Sequence, residues 1–308
     1  MRGAVVIPAH ELVALEARVE ACLARGSDDG LCVLGHGEMS LVLGWPDGGA
    51  ALAPEVAAKR LPVFASVAAF ERYAGTLRRY LAALEAAGVT PLPTQLQRVD
   101  RADGSCVGYC VQPALAADAL LPRVLARATP AEGLRLLREV AELACATVTA
   151  AVGLDAQLSN WALRDGQLCY LDVTTPLLAH PDGSTELDPA LFLAAYPAPL
   201  RAPIRRFVLP GIVRRYHQRR SVLRDICANL VKERLQGWQP ALLSVANAAL
   251  AAVEPAAAPI TAAEATRDYA RDARMWAVML WLRRADRFWQ RAIRRKSYPF
   301  LLPRAIAR

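Results

Sequence analysis

The first sixty residues alternate between a helical and an extended pattern of apolar positions. Residues 11–25 repeat apolar side chains at helical spacing, which predicts a helix. Two short apolar runs follow, at residues 31–34 and 41–45, and a glycine-rich turn separates them. Strand, turn and strand in this order predict a β-hairpin. A third extended run, residues 56–59, ends in a single lysine.

The next segment predicts one long helix and two further strands. Apolar residues between positions 66 and 87 fall on one broad helical face, and Gly88 ends the pattern. Strands are predicted at residues 95–99 and 106–112, around a turn that contains Asp103-Gly104. Pro113 stops the second strand because proline cannot donate to a ladder of hydrogen bonds.

Beyond Pro113 the pattern becomes mainly helical. A helix is predicted from Pro130 to Val152, followed by a short β pair at residues 161–163 and 168–171. From about residue 187 onward the apolar positions again recur at helical spacing. The whole pattern therefore predicts an α+β protein whose strands come first.

Composition and charge narrow the class of protein. Of the 308 residues, 54% are hydrophobic and 21% charged, which predicts a buried core and excludes a disordered chain. The formal net charge of +8 suits an anionic ligand such as a nucleotide, but equally a nucleic acid or a membrane surface. No helix-turn-helix, zinc-finger or RNA-binding signature accompanies the charge, so nucleic acid is the weakest of these partners.

The cysteines and the start of the chain indicate a cytoplasmic protein. Seven cysteines, an odd number without a Cys-x-x-Cys pair, predict mostly buried, reduced thiols. Neither the apolar core of a signal peptide nor a run of about 20 apolar residues occurs, so we expect no membrane span. The four histidines lack the spacing of a zinc site.

Two arginine-rich clusters lie in the carboxy-terminal part of the chain. The first covers residues 205–220, and the second, residues 283–296, is interleaved with Trp281, Phe288 and Trp289. Both suit an acidic or phosphorylated molecule or an anionic surface. Both also suit an amphipathic helix with a solvated basic face.

Four polar sites interrupt the apolar pattern and carry the candidate chemistry. Glycines in a turn let the backbone approach phosphates closely, and a lysine at the end of an apolar strand must meet an anion or extend to water. Taken singly, each site also fits an ordinary turn or an exposed strand end. In chain order the sites are the turn Gly35-His36-Gly37 with Ser40, then Lys59, then Asp155 with Asn160, and finally Asp172.

The order and spacing of the four sites are those of kinase-like proteins: glycine loop, strand lysine, Asp-x-x-x-x-Asn loop and a metal-binding aspartate after a short hairpin. Over residues 30–176 the chain resembles the aminoglycoside phosphotransferase and choline kinase branch of the protein-kinase-like superfamily. The resemblance implies a two-lobed fold with a small β-rich amino-terminal lobe, residues 1–112, and a larger helical carboxy-terminal lobe, residues 113–308.

The resemblance also implies ATP and Mg²⁺ as cofactors and assigns roles around the phosphates. Lys59 would bind the α- and β-phosphates, with Glu71 on the long helix as its acidic partner. Backbone amides from Gly35 to Ser40, including His36 and Gly37, would cover the phosphates. The connector at Gln112 and Ala114 would offer backbone groups to adenine.

The remaining roles concern the transfer step itself. Asp155 would orient the acceptor hydroxyl and take its proton, while Asn160 and Asp172 would bind Mg²⁺ through hard oxygen donors. The sequence departs from the branch in two places. Its loop reads Gly153-Leu154-Asp155 where His-Gly-Asp is usual, and Asp172-Val173-Thr174 lacks the glycine of Asp-Phe-Gly.

These observations leave two functional hypotheses. The first is an ATP-dependent kinase acting on a hydroxyl of a small molecule. An anionic acceptor suits the sequence better than a polycationic one, because the carboxy-terminal part is not acidic as a polycationic acceptor would require. The second is a pseudokinase that binds nucleotide, turns over little, and docks a partner through its basic helices. The oligomeric state is left open.

Overall fold

The computed structural model of the chain begins with a helix on a five-stranded antiparallel sheet and continues into a mainly helical part. It describes residues 5–36, 40–46, 53–194, 196–295 and 298–301, except the side chains of His36 and Phe192. The strands are β1 (Val33–His36), β2 (Leu41–Trp45), β3 (Val56–Phe64), β4 (Gln95–Asp100), β5 (Cys106–Pro113), β6 (Trp161–Arg164) and β7 (Gln167–Tyr170). The helices are α1 (Ala9–Arg25), α2 (Val67–Ala86), α3 (Leu121–Leu125), α4 (Pro130–Thr147), α5 (Pro189–Leu193), α6 (Ala198–Pro203), α7 (Leu209–Tyr216), α8 (Arg219–Lys232), α9 (Gln239–Val253) and α10 (Ala262–Phe288). The predicted α+β class is confirmed.

The sheet has the strand order β1-β2-β3-β5-β4, and every neighbouring pair is antiparallel. Both predicted hairpins, β1–β2 and β6–β7, are confirmed. Strand β3 extends five residues beyond the predicted end at Lys59, because β5 continues to pair with it as far as Phe64. The register shifts between Arg60 and Val63, where Pro62 has no N–H for the ladder.

Helix α1 covers one face of the sheet. Leu12, Leu15 and Val19 on α1 form one buried cluster with Val107 and Val111 of β5. The helix ends at Arg25, as predicted, and the φ of 77° at the following Gly26 lies in the left-handed region that glycine adopts without strain. This face therefore has its own small core.

The opposite face of the sheet belongs to a larger core. Phe64 of β3 and Tyr73 and Leu77 of α2 lie in one buried cluster with Leu136 of α4 and Leu223 of α8. Apolar packing therefore continues from the sheet through α2 into the carboxy-terminal helices. The candidate site lies along this junction.

A second predicted boundary, the end of α4, is also wrong. Helix α4 ends at Thr147, five residues before the predicted end at Val152. The hydroxyl of Thr149 accepts hydrogen bonds from the backbone N–H groups of Ala151 and Val152, at 3.2 and 3.0 Å. A threonine side chain here offers the backbone an alternative to the helical hydrogen bond, which apolar periodicity does not detect.

The cysteines agree with the expectation of mostly buried, reduced thiols. All seven cysteines are free thiols, and six of them are buried. Among the helices in the described part of the chain, none combines the length and the apolar character needed to cross a bilayer.

Candidate functional site

Lys59 and Asp172 form an ion pair between the sheet and the helical part. The Lys59 Nζ lies 2.7 Å from the Asp172 Oδ1, although the residues are 113 positions apart. The hydroxyl of Thr174 donates to the same carboxylate oxygen at 2.9 Å. Burial acts to raise the pKa of Asp172, but the charge and hydrogen bond of Lys59 and the hydrogen bonds of Thr174 outweigh it and lower the pKa. Asp172 is therefore held as a carboxylate.

Asp155 and Asn160 occupy the ends of one short loop beside this ion pair. The Asn160 Nδ2 donates to the backbone carbonyl of Asp155 at 3.0 Å, which leaves the amide oxygen of Asn160 as an acceptor. The N–H of Leu171 donates to the Asn160 carbonyl at 2.8 Å. The loop is thereby tied to the residue that precedes Asp172, so the structure brings these predicted site residues together.

Three buried tyrosines hold the two loops in place. The Tyr73 hydroxyl donates to the Thr174 carbonyl at 2.9 Å, and the Tyr80 hydroxyl donates to the Gly153 carbonyl at 3.1 Å. The Tyr170 hydroxyl donates to the Asp155 carbonyl at 3.0 Å. Burial raises the pKa of each of these tyrosines far above its ordinary value, so each hydroxyl keeps its proton and remains a donor.

The predicted acidic partner of Lys59 is wrong. Glu71 lies on the outer face of α2, where its carboxylate accepts a hydrogen bond from Arg98 at 3.1 Å. The buried face of α2 presents Tyr73 and Tyr80 to the loops instead. Glu71 lies in the first turns of α2, as predicted. It is two residues from Tyr73 along the helix, so its side chain points to the opposite, outer side.

The connector after β5 also differs from the prediction. The N–H of Ala114 donates to the Glu55 carbonyl at 2.8 Å, so this donor is already used within the sheet. The Gln112 side chain bonds to the Leu171 carbonyl at 3.0 Å and to the Thr94 hydroxyl at 2.9 Å. Gln112 thus holds the residue before Asp172, a contribution that the sequence does not reveal.

The glycine turn is described only in part. Gly35 and His36 end β1 and Ser40 precedes β2, whereas Gly37 and the His36 side chain lie outside the described residues. A Cβ added to Gly35 would meet no atom of the described residues within 4 Å. The hairpin is confirmed, and its phosphate-covering role stays a prediction.

His217 is a part of the site that the sequence does not indicate. It follows α7, and its Nδ1 lies 3.0 Å from the Val213 carbonyl. Its ring packs on Gly153, and the Tyr216 carbonyl accepts from the N–H of Leu154 at 3.1 Å. The Nε2 of His217 is buried and has no hydrogen-bond partner within the described part of the chain. A histidine that follows α7 therefore supports a loop that contains no histidine.

Replacing Gly153 by alanine should destabilise the protein by about 1–3 kcal/mol, because the close contact cannot accept a methyl group. The added Cβ would lie 3.0 Å from His217 Cε1 and 3.1 Å from the Leu177 Cβ. Urea unfolding of the variant and the wild-type protein measures the difference in free energy.

Gly75→Ala is the matched control. Among the described residues, a Cβ at Gly75, inside α2, would meet just the guanidinium ends of Arg78 and Arg79, at 3.9 Å. We expect this variant to be stabilised by about 0.5–1 kcal/mol, because alanine lowers the entropy of the unfolded chain. Equal effects at both glycines would show that His217 and Leu177 do not constrain the loop.

Helix α8 supports the loop from the other side. The Asn229 Oδ1 accepts from the N–H of Leu158 at 3.0 Å, and Lys232 Nζ lies 3.3 Å from Gln157 Oε1. On the same helix, burial and the neighbouring Asp272 raise the pKa of Asp225 to about 6. Charged and amide groups thus surround the segment that follows Asp155.

Three of the six arginines in the first basic cluster form ion pairs within the protein. Ion pairs join Arg215 to Asp272, Arg219 to Glu254 and Arg220 to Glu264. These contacts fix α7 and α8 to α10 and to Glu254, which follows α9. The three arginines therefore hold helices together. Their spacing in the sequence does not distinguish this structural role from anion binding.

The donor atoms at the site suit magnesium carried by a nucleotide. Asn160 and Asp172 supply hard oxygen ligands, and Mg²⁺ in such sites uses one or two carboxylates together with phosphate oxygens and water. A cage of three or more His, Cys, Asp or Glu side chains does not occur among the described residues. The residues present fit a metal that is shared with a phosphate ligand.

Comparison with known proteins places the whole arrangement in one family. No curated protein matches the chain. A family model described as "Family of unknown function (DUF6206)" matches residues 14–287, which include the sheet, the clustered site and most of α10. Since the match covers most of its length, the chain belongs to this family, DUF6206.

Proposed function

We propose that the protein is an ATP- and Mg²⁺-dependent phosphotransferase with a two-lobed, protein-kinase-like fold, and that it acts on a hydroxyl of a small molecule. The ion pair between Lys59 and Asp172 is the main support. It joins a strand lysine to a loop aspartate, the two charges that a kinase-like site needs around its phosphates. Asp155 and Asn160 lie on the loop hydrogen-bonded to the same segment.

The charges of the site divide the work of phosphate binding. Lys59 would bind phosphate oxygens, since an ammonium held in a partly buried position attracts anions more strongly than one in water. Asp172 and Asn160 would supply the protein oxygens for magnesium. The metal, when bound, neutralises charge on the phosphates. In the structure the ammonium of Lys59 pairs with the carboxylate of Asp172. Both charged groups therefore already lie at the site before nucleotide binds.

Asp155 would act on the acceptor. Its carbonyl accepts from both the Asn160 amide and the Tyr170 hydroxyl, so its backbone is held on two sides. A carboxylate on a fixed backbone can orient a hydroxyl and take its proton as the new bond to phosphorus forms. We assign Asp155 this role of general base.

A pseudokinase is the second candidate. In the described part of the chain α2 contributes tyrosine, not a carboxylate, to the loops near Lys59, and Lys59 pairs with the proposed metal ligand itself. Both features, like the Gly-Leu-Asp and Asp-Val-Thr sequences, suit a site that binds nucleotide and turns over little. Turnover distinguishes the two candidates.

Mg-ATP should stabilise the protein, and Asp172→Ala should remove this effect. A ligand that binds only the folded state, at 100 times its dissociation constant, adds about 2.7 kcal/mol to the free energy of unfolding. Thermal unfolding with ATP, with and without magnesium, measures the shift. Asp103→Ala, in the exposed β4–β5 turn, is the control and should respond as the wild-type protein does. Undiminished magnesium-dependent stabilisation of Asp172→Ala would disprove the assigned metal site.

A further inference from the structure

The second half of α10 exposes a continuous apolar stripe. Val278, Trp281 and Phe288 are each more than half exposed, and so are Trp289 and Ile293 in the π-helical turn that follows. Positions 278, 281, 285 and 288 recur every three or four residues, so they lie on one side of the helix. Large aromatic side chains exposed together on one face are unusual for a surface that meets only water.

The stripe is not a displaced piece of the core, because the other face of α10 is packed. Arg283 is buried and stacks on the Phe300 ring at 5.2 Å. Two residues along an α-helix are about 200° apart, so Arg283 and Trp281 point to opposite sides. Nearer the start of α10, Asp268 pairs with Arg224 of α8. The orientation of the helix is thus set by its buried side.

The same segment is strongly basic. Residues 278–295 contain six arginines and one aspartate, which gives a net charge of 6 − 1 = +5. Arg284 and Arg294 are exposed beside the aromatic side chains. Arg291 donates to the carbonyls of Ala24 and Arg25 at the end of α1, which anchors the far end of the segment. A positive potential therefore surrounds the apolar stripe.

We propose that residues 278–295 form a docking surface for an anionic membrane, with Trp281, Phe288 and Trp289 in the headgroup region and the exposed arginines, such as Arg284 and Arg294, against lipid phosphates. Helices that lie in the plane of a membrane interface combine tryptophan and phenylalanine with arginine in this way. A second copy of the chain would bring two such positive segments together. Nucleic acid would use the arginines and aromatic rings but leave Val278 and Ile293 without an apolar partner.

Binding of the full chain to vesicles tests the proposal. We expect vesicles of phosphatidylcholine and phosphatidylglycerol to bind at least about 10-fold more tightly than phosphatidylcholine alone, and added salt to weaken the binding. Trp281→Ser with Phe288→Ser should weaken binding to the anionic vesicles at least about 10-fold. Lipids brominated near the headgroup should quench tryptophan fluorescence in the wild-type protein and much less in Trp281→Phe with Trp289→Phe.

Charge variants separate this surface from the general basic character of the protein. Arg284→Glu with Arg294→Glu should weaken binding to anionic vesicles, whereas Arg123→Glu with Arg138→Glu, exposed elsewhere with the same change in net charge, should not. Thermal unfolding confirms that each variant is folded. Equal loss in both pairs, or equal binding to neutral vesicles, would overturn the proposal. The proposal would also be overturned if the protein does not bind vesicles but self-associates or binds an oligonucleotide through Trp281 and Phe288.

Discussion

Asp155→Asn should lower the rate of phosphate transfer by about 10²–10⁴-fold and leave Mg-ATP binding nearly unchanged. Asparagine keeps the shape of the side chain but cannot take a proton from the acceptor hydroxyl. The backbone contacts that hold residue 155, from Asn160 and Tyr170, use its carbonyl and survive the change. The rate of ATP hydrolysis and of transfer to any acceptor found in a screen measures the effect.

Binding and turnover must be measured on the same samples. Asp182→Asn, an exposed aspartate that caps a turn with Ser184, is the matched control and should transfer phosphate at the wild-type rate. A fully active Asp155→Asn would remove Asp155 from the chemistry. Wild-type protein that binds Mg-ATP but transfers no phosphate would favour the pseudokinase, and the site would then serve as a nucleotide-binding site only.

Glu16→Ala should destabilise the protein by about 3–5 kcal/mol, since removing one member of a buried ion pair leaves the other charge uncompensated. Glu16 of α1 is 3% exposed and accepts two hydrogen bonds from Arg60, at 2.8 and 2.7 Å. Tyr109 donates to it at 2.6 Å and Arg101 at 3.1 Å. Arg60 is itself buried in β3, so the variant would strand a guanidinium inside the protein.

Urea unfolding measures this loss, and Glu20→Ala is its control. Glu20 lies one turn further along α1, is half exposed and pairs with the same Arg101. An exposed pair contributes only about 0–1 kcal/mol, so a small effect is expected. Similar losses for the two variants would show that the buried network is not what fixes α1 to the sheet.

The same carboxylate predicts how stability depends on pH. Burial acts to raise the pKa of Glu16, but the hydrogen bonds and charge of Arg60 and the hydrogen bonds of Tyr109 and Arg101 outweigh it, so the pKa lies below the ordinary value of 4.5. A lowered pKa means that the unfolded chain binds the proton more tightly. The stabilisation is therefore complete above pH 4.5 and is lost as the pH falls through the lowered pKa. Glu16→Gln should reduce this acid dependence.

Local sequence patterns were sufficient to predict most strands and helices of the amino-terminal part. The β1–β2 hairpin, the helix that stops at Gly26 and the long helix α2 were all predicted, because alternation, helical spacing and turn residues act between neighbours in the chain. The prediction was wrong where a side chain competes locally with the backbone, as Thr149 does after α4. A boundary of that kind depends on the hydrogen bonds of a single side chain and not on periodicity.

The candidate site, too, was predicted in part from the sequence. By itself, the sequence determined which residues could carry the chemistry, since Lys59, Asp155, Asn160 and Asp172 stand at recognisable places beside strands and loops. Only the tertiary structure decided their partners: Lys59 pairs with Asp172 and not with Glu71, and His217, which follows α7, packs on the loop. These contacts join segments distant in the chain, and their geometry depends on how whole faces of helix and sheet pack. Local spacing carries no information about that packing.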